Sequence, residues 1–241
     1  MDKVLIKMMQ NHKETIYKVS SKQTLLAALY EIKETQNASL TFNAGCRASV
    51  CGTCAMRVNG REVLACAYKP KEGDFIEPLA YHTKVRDLKV DKRTTLDTLV
   101  KAKAWLHHYN ETTQLTPKDE YLTERQSDCI MCESCYSACP VFAVNSNFIG
   151  PFALTRAYRY VEDRREKSTT YIIDAIQNNG VWDCTLCGEC TIACPKGIDP
   201  KNDIVMLRTK SVQQGYSDPN FSFGFGTPDF GRDFGFDPST G

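Results

Sequence analysis

Twelve cysteines carry the chemistry of this 241-residue chain, and all of them fall into three short groups. Cys46, Cys51, Cys54 and Cys66 form the first, Cys129, Cys132, Cys135 and Cys139 the second, and Cys184, Cys187, Cys190 and Cys194 the third. Thiolate sulfur is a soft ligand that suits zinc, Cu(I) and iron–sulfur clusters. The same cysteines spread through a small secreted chain would indicate disulfides. Here no signal peptide precedes them, and the last two groups are spaced at two or three residues, so metal ligation is the better reading.

The spacings narrow the metal. The first group reads C-x4-C-x2-C-x11-C, and its first three cysteines follow the plant-type [2Fe–2S] pattern. Ala44, Gly45, Ala48, Ser49 and Gly52 are small enough to let backbone amides approach the sulfurs, while Cys66 arrives from the hairpin after Asn59-Gly60. A structural zinc site is the alternative, but zinc sites rarely join so tight a loop to so distant a fourth ligand. The pattern C-x2-C-x2-C-x3-C-P runs from Cys129 to Pro140 and repeats in full from Cys184 to Pro195. This is the run of two-cluster bacterial ferredoxins, in which the fourth cysteine of each run ligates the other cluster. Cys129, Cys132, Cys135 and Cys194 are therefore expected to hold one cubane, and Cys184, Cys187, Cys190 and Cys139 the other.

The elements that must position these groups differ between the two halves. Val4-Leu5-Ile6 and Thr15 to Val19 read as strands joined by a turn at Gln10-Asn11-His12. A helix is predicted over residues 22 to 35 from Leu25, Leu26, Leu29 and Ile32, with Ser20 and Ser21 as caps. Met56-Arg57-Val58 and Glu62-Val63-Leu64 flank Asn59-Gly60, a strong two-residue hairpin signal. From Leu88 the chain becomes a charged connector. A helix is predicted from Thr95 to His108 with Leu96, Leu99, Val100 and Leu106 on one side, then others from Pro151 to Arg165 and from Asp203 to Thr209.

The expected fold class is α+β: an N-terminal plant-type ferredoxin-like β-grasp domain over residues 1–94, then an all-helical bacterial-ferredoxin-like domain over residues 95–213. Residues 214–241 form a tail with Phe221, Phe223, Phe225, Phe230, Phe234 and Phe236 among Gly, Pro, Asp and Ser, read either as disordered or as packing its rings on a partner.

Thirty Lys and Arg against twenty-nine Asp and Glu leave no electrostatic case for nucleic acid. No apolar run reaches the roughly 18 residues needed to span a bilayer. His82, His107 and His108 neighbour no cysteine group in sequence and read as surface or packing residues; Trp182 is read equally as a wall beside a cluster or an ordinary core residue. Lys196 and Gly197 are expected to end a helix and place a positive charge near the adjacent cluster.

A plant-type loop followed by a tandem ferredoxin run resembles the iron–sulfur subunit of the succinate dehydrogenase and fumarate reductase family. Cys46-Arg47-Ala48-Ser49-Val50-Cys51-Gly52-Thr53-Cys54 resembles that family's first loop. Phe148-Ile149-Gly150-Pro151, leading into Arg156-Ala157-Tyr158-Arg159-Tyr160, resembles its segment between the ferredoxin runs. The resemblance covers about residues 1–213. It implies a wire: an FAD-containing flavoprotein subunit converts succinate and fumarate, and three clusters pass single electrons between that FAD and a quinone-reactive membrane partner. No substrate-converting site is implied on this chain. The implied location is peripheral, on the cytoplasmic side of the inner membrane, or on the periplasmic side by export with a twin-arginine partner, as in a methylmenaquinol:fumarate reductase.

The chain departs from the family around the third cluster. The usual family member lacks a cysteine at the position of Cys187 and holds a [3Fe–4S] cluster there. With Cys187 added to Cys139, Cys184 and Cys190, a [4Fe–4S] cluster is expected and the three-iron form is the alternative. Val144 stands in place of a quinone-site Trp and Thr185 in place of a His. These departures fall together around the third cluster and point to the less common branch of the family, in which a cysteine-rich partner replaces the haem-bearing membrane anchor, with a membrane anchor as the alternative. Ser49 replaces a glycine in the first loop. The competing readings are an iron–sulfur subunit of another flavin-linked dehydrogenase and a zinc-binding scaffold.

Overall fold

In this computed structural model the described residues are 3–10 and 13–219. The turn residues Asn11 and His12 and the phenylalanines of the tail lie outside them.

The hairpin expected at the N-terminus is formed by β1 (Lys3–Gln10) and β2 (Lys13–Ser20), paired antiparallel along their whole length. Alternation decides its faces: Ile6, Met8, Tyr17 and Val19 point into the core, while Leu5, Met9 and Ile16 remain exposed. Helix α1 (Leu25–Thr35) crosses this sheet and buries Leu25, Leu26, Ala28, Leu29 and Ile32. It starts later than the sequence indicates, because Thr24, not Ser20 or Ser21, accepts the Ala27 amide at 3.3 Å and caps it.

β3 (Ala55–Val58) and β4 (Arg61–Leu64) form the second hairpin around Asn59 (φ 51°) and Gly60 (φ 78°), as the Asn-Gly pair predicts. β5 (Phe75–Glu77) pairs parallel with β1 and antiparallel with β3, closing a sheet of order β2-β1-β5-β3-β4. The stretch from Leu88, expected to be a charged connector, opens instead with a strand that pairs back onto residues 83–86. β6 (Thr83–Arg86) and β7 (Lys89–Asp91) make a two-stranded sheet, with Leu88 and Val90 buried in the first core. β6 has all four residues exposed, so no periodic burial signal marked it.

Helix α2 (Arg93–Lys101) is shorter than predicted, and Leu96 and Val100 remain largely exposed. It ends in a Schellman arrangement: Ala104 donates to the Leu99 carbonyl and Lys103 to that of Val100, with Lys103 at φ 49°. A lysine there gives no glycine signal for the stop. α3 (Pro117–Ser127) opens with a capping box between Thr116 and Asp119. The one-turn α4 (Ser134–Ser137) follows, then α5 (Pro151–Val161), α6 (Thr170–Ala175), the one-turn α7 (Glu189–Ile192) and α8 (Pro200–Gln213). α5 and α8 pack together at the centre of a second core built on Phe148, Phe152, Leu154, Ile173, Ile204 and Leu207. Among the described residues no helix is long and apolar enough to cross a membrane.

Candidate metal centres

All twelve cysteines are free thiols. In the first loop, Arg47, Ser49 and Gly52 all take left-handed backbone angles (φ 61°, 57° and 67°), which curls the chain so that its amides face the thiols. Ala48 N and Cys51 N donate to Cys46 Sγ at 3.4 and 3.3 Å, Cys46 N to Cys51 Sγ at 3.4 Å, and Ser49 N to Cys66 Sγ at 3.2 Å. The Ser49 hydroxyl adds a contact to Cys66 Sγ at 3.3 Å. Gly45 is needed for clearance, since a Cβ there would stand 2.8 Å from Cys51 Sγ.

Amide and hydroxyl donors favour the charged thiolate, the form that binds metal. The Thr53 side chain, aided by the Cys46 and Thr53 amides, brings Cys51 down to about 6. At Cys66 burial opposes ionisation, but the Ser49 hydroxyl and Cys54 outweigh it and hold the thiol below its ordinary value. Burial pushes Cys54 up to about 11. A loop that aims amides at sulfur and leaves Cys46 and Cys51 exposed fits a small thiolate-bound cluster near the surface.

The tandem runs share one backbone conformation. Met131 (φ 52°) and Leu186 (φ 56°) occupy equivalent positions, as do Glu133 (φ 67°) and Gly188 (φ 86°), each of the latter pair opening a one-turn helix. One cavity is walled by Cys129, Cys132, Cys135 and Cys194; a second is walled by Cys139, Cys184, Cys187 and Cys190. Each cavity thus receives three thiols from one run and the last thiol of the other. Among the described residues no three His, Cys, Asp or Glu side chains are grouped as for one metal ion. Four thiols lining one cavity are the donor set of a cubane iron–sulfur cluster.

Burial raises the thiols of Cys129, Cys132 and Cys184, places Cys139 at about 11 and Cys190 at about 12, and drives Cys135 well above its ordinary value. Such thiols remain protonated until a bound metal displaces the proton. The donor set and the cavities therefore fit iron–sulfur clusters.

Cations surround these centres. Lys196, beyond the end of α7, lines the first cavity, and Lys201 lines the second. Arg208 of α8 donates to the carbonyls of Val181 (2.8 Å), Trp182 (3.4 Å) and Cys184 (2.6 Å), and its guanidinium stands 5.6 Å over the Trp182 ring. Trp182 itself is half-buried and donates to Gln177 at 2.8 Å, so it props this loop.

The expectation that His82 neighbours no cysteine group is corrected in space. Its side chain is fully buried and hydrogen-bonded to Glu133, which lies between Cys132 and Cys135. Fifty-one residues separate the partners, and only the fold brings them together. His107 and His108 contact Lys103, Trp105 and Glu166 instead. Val144 is 88% exposed, and Thr185 and Cys187 are also exposed at the second cavity, the outer of the two.

Residues 6–97 match the family described as a 2Fe-2S iron-sulfur cluster binding domain, and residues 125–198 match a 4Fe-4S dicluster domain. The 8-methylmenaquinol:fumarate reductase iron-sulfur subunit of Wolinella succinogenes is 36% identical over 208 residues, covering 80% of this chain but 65% of that subunit, just under two thirds. The fumarate reductase iron-sulfur subunit of Mycobacterium tuberculosis is 34% identical over 214 residues, or 84% of this chain and 86% of that one. Its counterpart in Escherichia coli is 36% identical over 197 residues, covering 78% and 81%. In fold, the chain is similar to one in the Mycobacterium smegmatis Sdh1 complex, with a TM-score of 0.77 at 18% identity, covering 90% of this chain and 98% of that one.

Proposed function

This chain belongs to the fumarate reductase/succinate dehydrogenase family of iron–sulfur subunits, and on that premise we propose that it relays single electrons between the FAD of a flavoprotein partner and a quinone-reactive partner at the membrane. Cys46, Cys51, Cys54 and Cys66 hold a [2Fe–2S] cluster. Cys129, Cys132, Cys135 and Cys194 hold a [4Fe–4S] cluster, and Cys139, Cys184, Cys187 and Cys190 a third, also [4Fe–4S]. The observation that supports this reading is the interleaved lining of the two cavities, each completed by the other run's last cysteine. Bound there, a cluster supplies reversible one-electron chemistry.

The protein's part is to hold and bias that chemistry. Amides around Cys46 and Cys51 and the Ser49 hydroxyl at Cys66 favour added negative charge on sulfur. Cys132, Cys139 and Cys190 are buried, while Cys187 leaves the second cavity accessible on one side. Arg208 braces the Cys184 loop with a fixed positive charge.

The quinone-side partner is a membrane anchor or a cysteine-rich subunit, and the complex stands on the cytoplasmic face of the inner membrane. A second reading takes the activity named for the Wolinella relative, methylmenaquinol-linked fumarate reduction, and places the complex on the periplasmic face by export with a twin-arginine partner. The test is anaerobic purification of the complex followed by succinate addition. The expected result is a brown complex that contains a flavoprotein, turns over succinate or fumarate and shows reduced iron–sulfur EPR signals. Zinc in place of iron, or a flavoprotein inert toward both acids, overturns the reading.

A further inference from the structure

Where the first thiol loop meets the second, the two backbones touch through a glycine. Gly52 is buried beside Cys51 at φ 67°, and a Cβ there would stand 2.6 Å from the Ile130 carbonyl oxygen and 2.8 Å from both Cα and Cβ of Cys132. No side chain fits between the loops. Across the same seam lies Lys92, the residue after β7. It occupies the N-cap position of α2 but makes no side-chain cap there. Its half-buried ammonium donates instead to the Cys132 carbonyl at 3.0 Å and the Gly52 carbonyl at 3.4 Å. One cation thus ties a ligand of the second set to the loop of the first.

We propose that Gly52 and Lys92 form the electron-transfer junction between the first two centres: Gly52 fixes their separation, and Lys92 is a positioning residue that clamps the seam and raises the potential of the Cys132 centre. The proposal rests on the ligand sets assigned above. In the forward direction one electron leaves the reduced Cys46–Cys66 centre and reduces the oxidised Cys129–Cys194 centre; no bond forms or breaks and no proton moves. Electron tunnelling falls steeply with distance, so even a methyl wedge at Gly52 matters. A positive charge beside Cys132 favours the more negative, reduced state of that centre, since net charge and hydrogen bonding both set cluster potentials. The repeat underlines the specificity. At the equivalent Cys187 the thiol is exposed, and the Cys184 carbonyl is held by Arg208 from within the same unit.

The test uses the anaerobically purified complex with Lys92→Met, Lys92→Arg and Gly52→Ala, read by EPR-monitored redox titration and by spin–spin interaction between the reduced centres. Lys92→Met is expected to move the midpoint potential of the second centre negative, with the cysteine-bound signals retained, and Lys92→Arg to return it toward the parent value. Gly52→Ala is expected to weaken the interaction between the first two centres and to slow electron arrival at the second. If Gly52→Ala loses its clusters, the two Lys92 variants decide. A fully loaded Lys92→Met protein with the parent potential and the parent spin–spin interaction overturns the proposal. Parent protein lacking [2Fe–2S] and [4Fe–4S] signals would instead overturn the ligand assignment beneath it.

Discussion

With Cys66 as a ligand, as proposed, the Ser49 hydroxyl 3.3 Å from its Sγ sets the potential of the first centre. Donating to a thiolate stabilises the more negative state, and such a bond to a charged group contributes about 1.5–3 kcal/mol. Ser49→Gly removes the hydroxyl, keeps the amide and relieves a non-glycine residue at φ 57°. The [2Fe–2S] midpoint is expected to fall by up to ~60 mV, the shift of a one-electron couple for a tenfold lost preference; an unchanged EPR titration would remove the hydroxyl from the account. A second residue acts on stability. Asp203 of α8 is 1% exposed, and burial raises its carboxyl to about 6 although Gln126 donates to Oδ1 at 2.7 Å. The Thr155 hydroxyl lies close enough to ease ionisation but outside hydrogen-bonding geometry, leaving Oδ2 unpartnered. The folded state therefore binds the proton more tightly than the unfolded chain, so stability falls as pH rises from about 4 to about 6 and stays lowered above that. Asp203→Asn removes a penalty of at most about 3 kcal/mol near pH 7 and offers an amide to Thr155. Its thermal midpoint, measured from pH 5 to 8, is expected to exceed the parent's by a margin that widens up to pH 6 and then levels. The cysteines were legible because their spacing is local. Asp203, Lys92 and His82 were not, because their partners come from other elements.

Between elements, the one-turn helix α4 joins the two halves. Ser137 accepts the Ala80 amide and donates to Glu62 Oε1 of β4, each at 2.8 Å. Glu133, at the head of α4, takes His82 from the segment between β5 and β6, whose ring also meets Tyr136 edge-on at 4.8 Å. His82→Ala would leave a carboxylate that is 3% exposed without its partner, a change that costs about 3–5 kcal/mol in such sites. A fall in thermal midpoint of roughly 6–20 °C is expected for a chain of this size, with the first and second centres losing their fixed spacing. Loss of less than about 2 °C would show that Ser137 and Lys92 suffice to hold the halves together. Elements were readable where burial is periodic or a turn residue is diagnostic, as in β1, β2, α1, α5 and the Asn59-Gly60 hairpin. β6 lacked any buried position, and α2 ended at a left-handed lysine. α8 extends well beyond the Asp203–Thr209 core of its pattern, because its helical ends, Pro200 and Gln213, are set by caps and chain direction and not by apolar spacing.

At the scale of the whole molecule, the internal repeat shows where the wire is closed and where it is open. Cys132 lies under the N-terminal unit, touched by Gly52, while its counterpart Cys187 is exposed. Ser137 is hydrogen-bonded into that unit, while its counterpart Ile192 is 78% exposed. Among the described residues, the chain thus covers one end of its pseudo-symmetric core with its own first domain and leaves Cys187 and Ile192 exposed at the other. The ligand count at that open end decides its chemistry. With Cys187 in the wall of the outer cavity, four thiols are present for the third centre, and an oxidised [4Fe–4S] centre is silent in EPR whereas an oxidised [3Fe–4S] centre is paramagnetic. The air-oxidised complex is therefore expected to be silent and to reveal three interacting centres on dithionite reduction. Cys187→Ala is expected to keep the other two centres and to acquire the oxidised three-iron signal in stoichiometric amount. The substitution removes the exposed thiol and leaves Cys139, Cys184 and Cys190, all at least partly buried, to hold what remains. If the parent complex already shows that signal at one spin per chain, Cys187 is not a ligand, and the open end carries a three-iron centre despite its fourth cysteine.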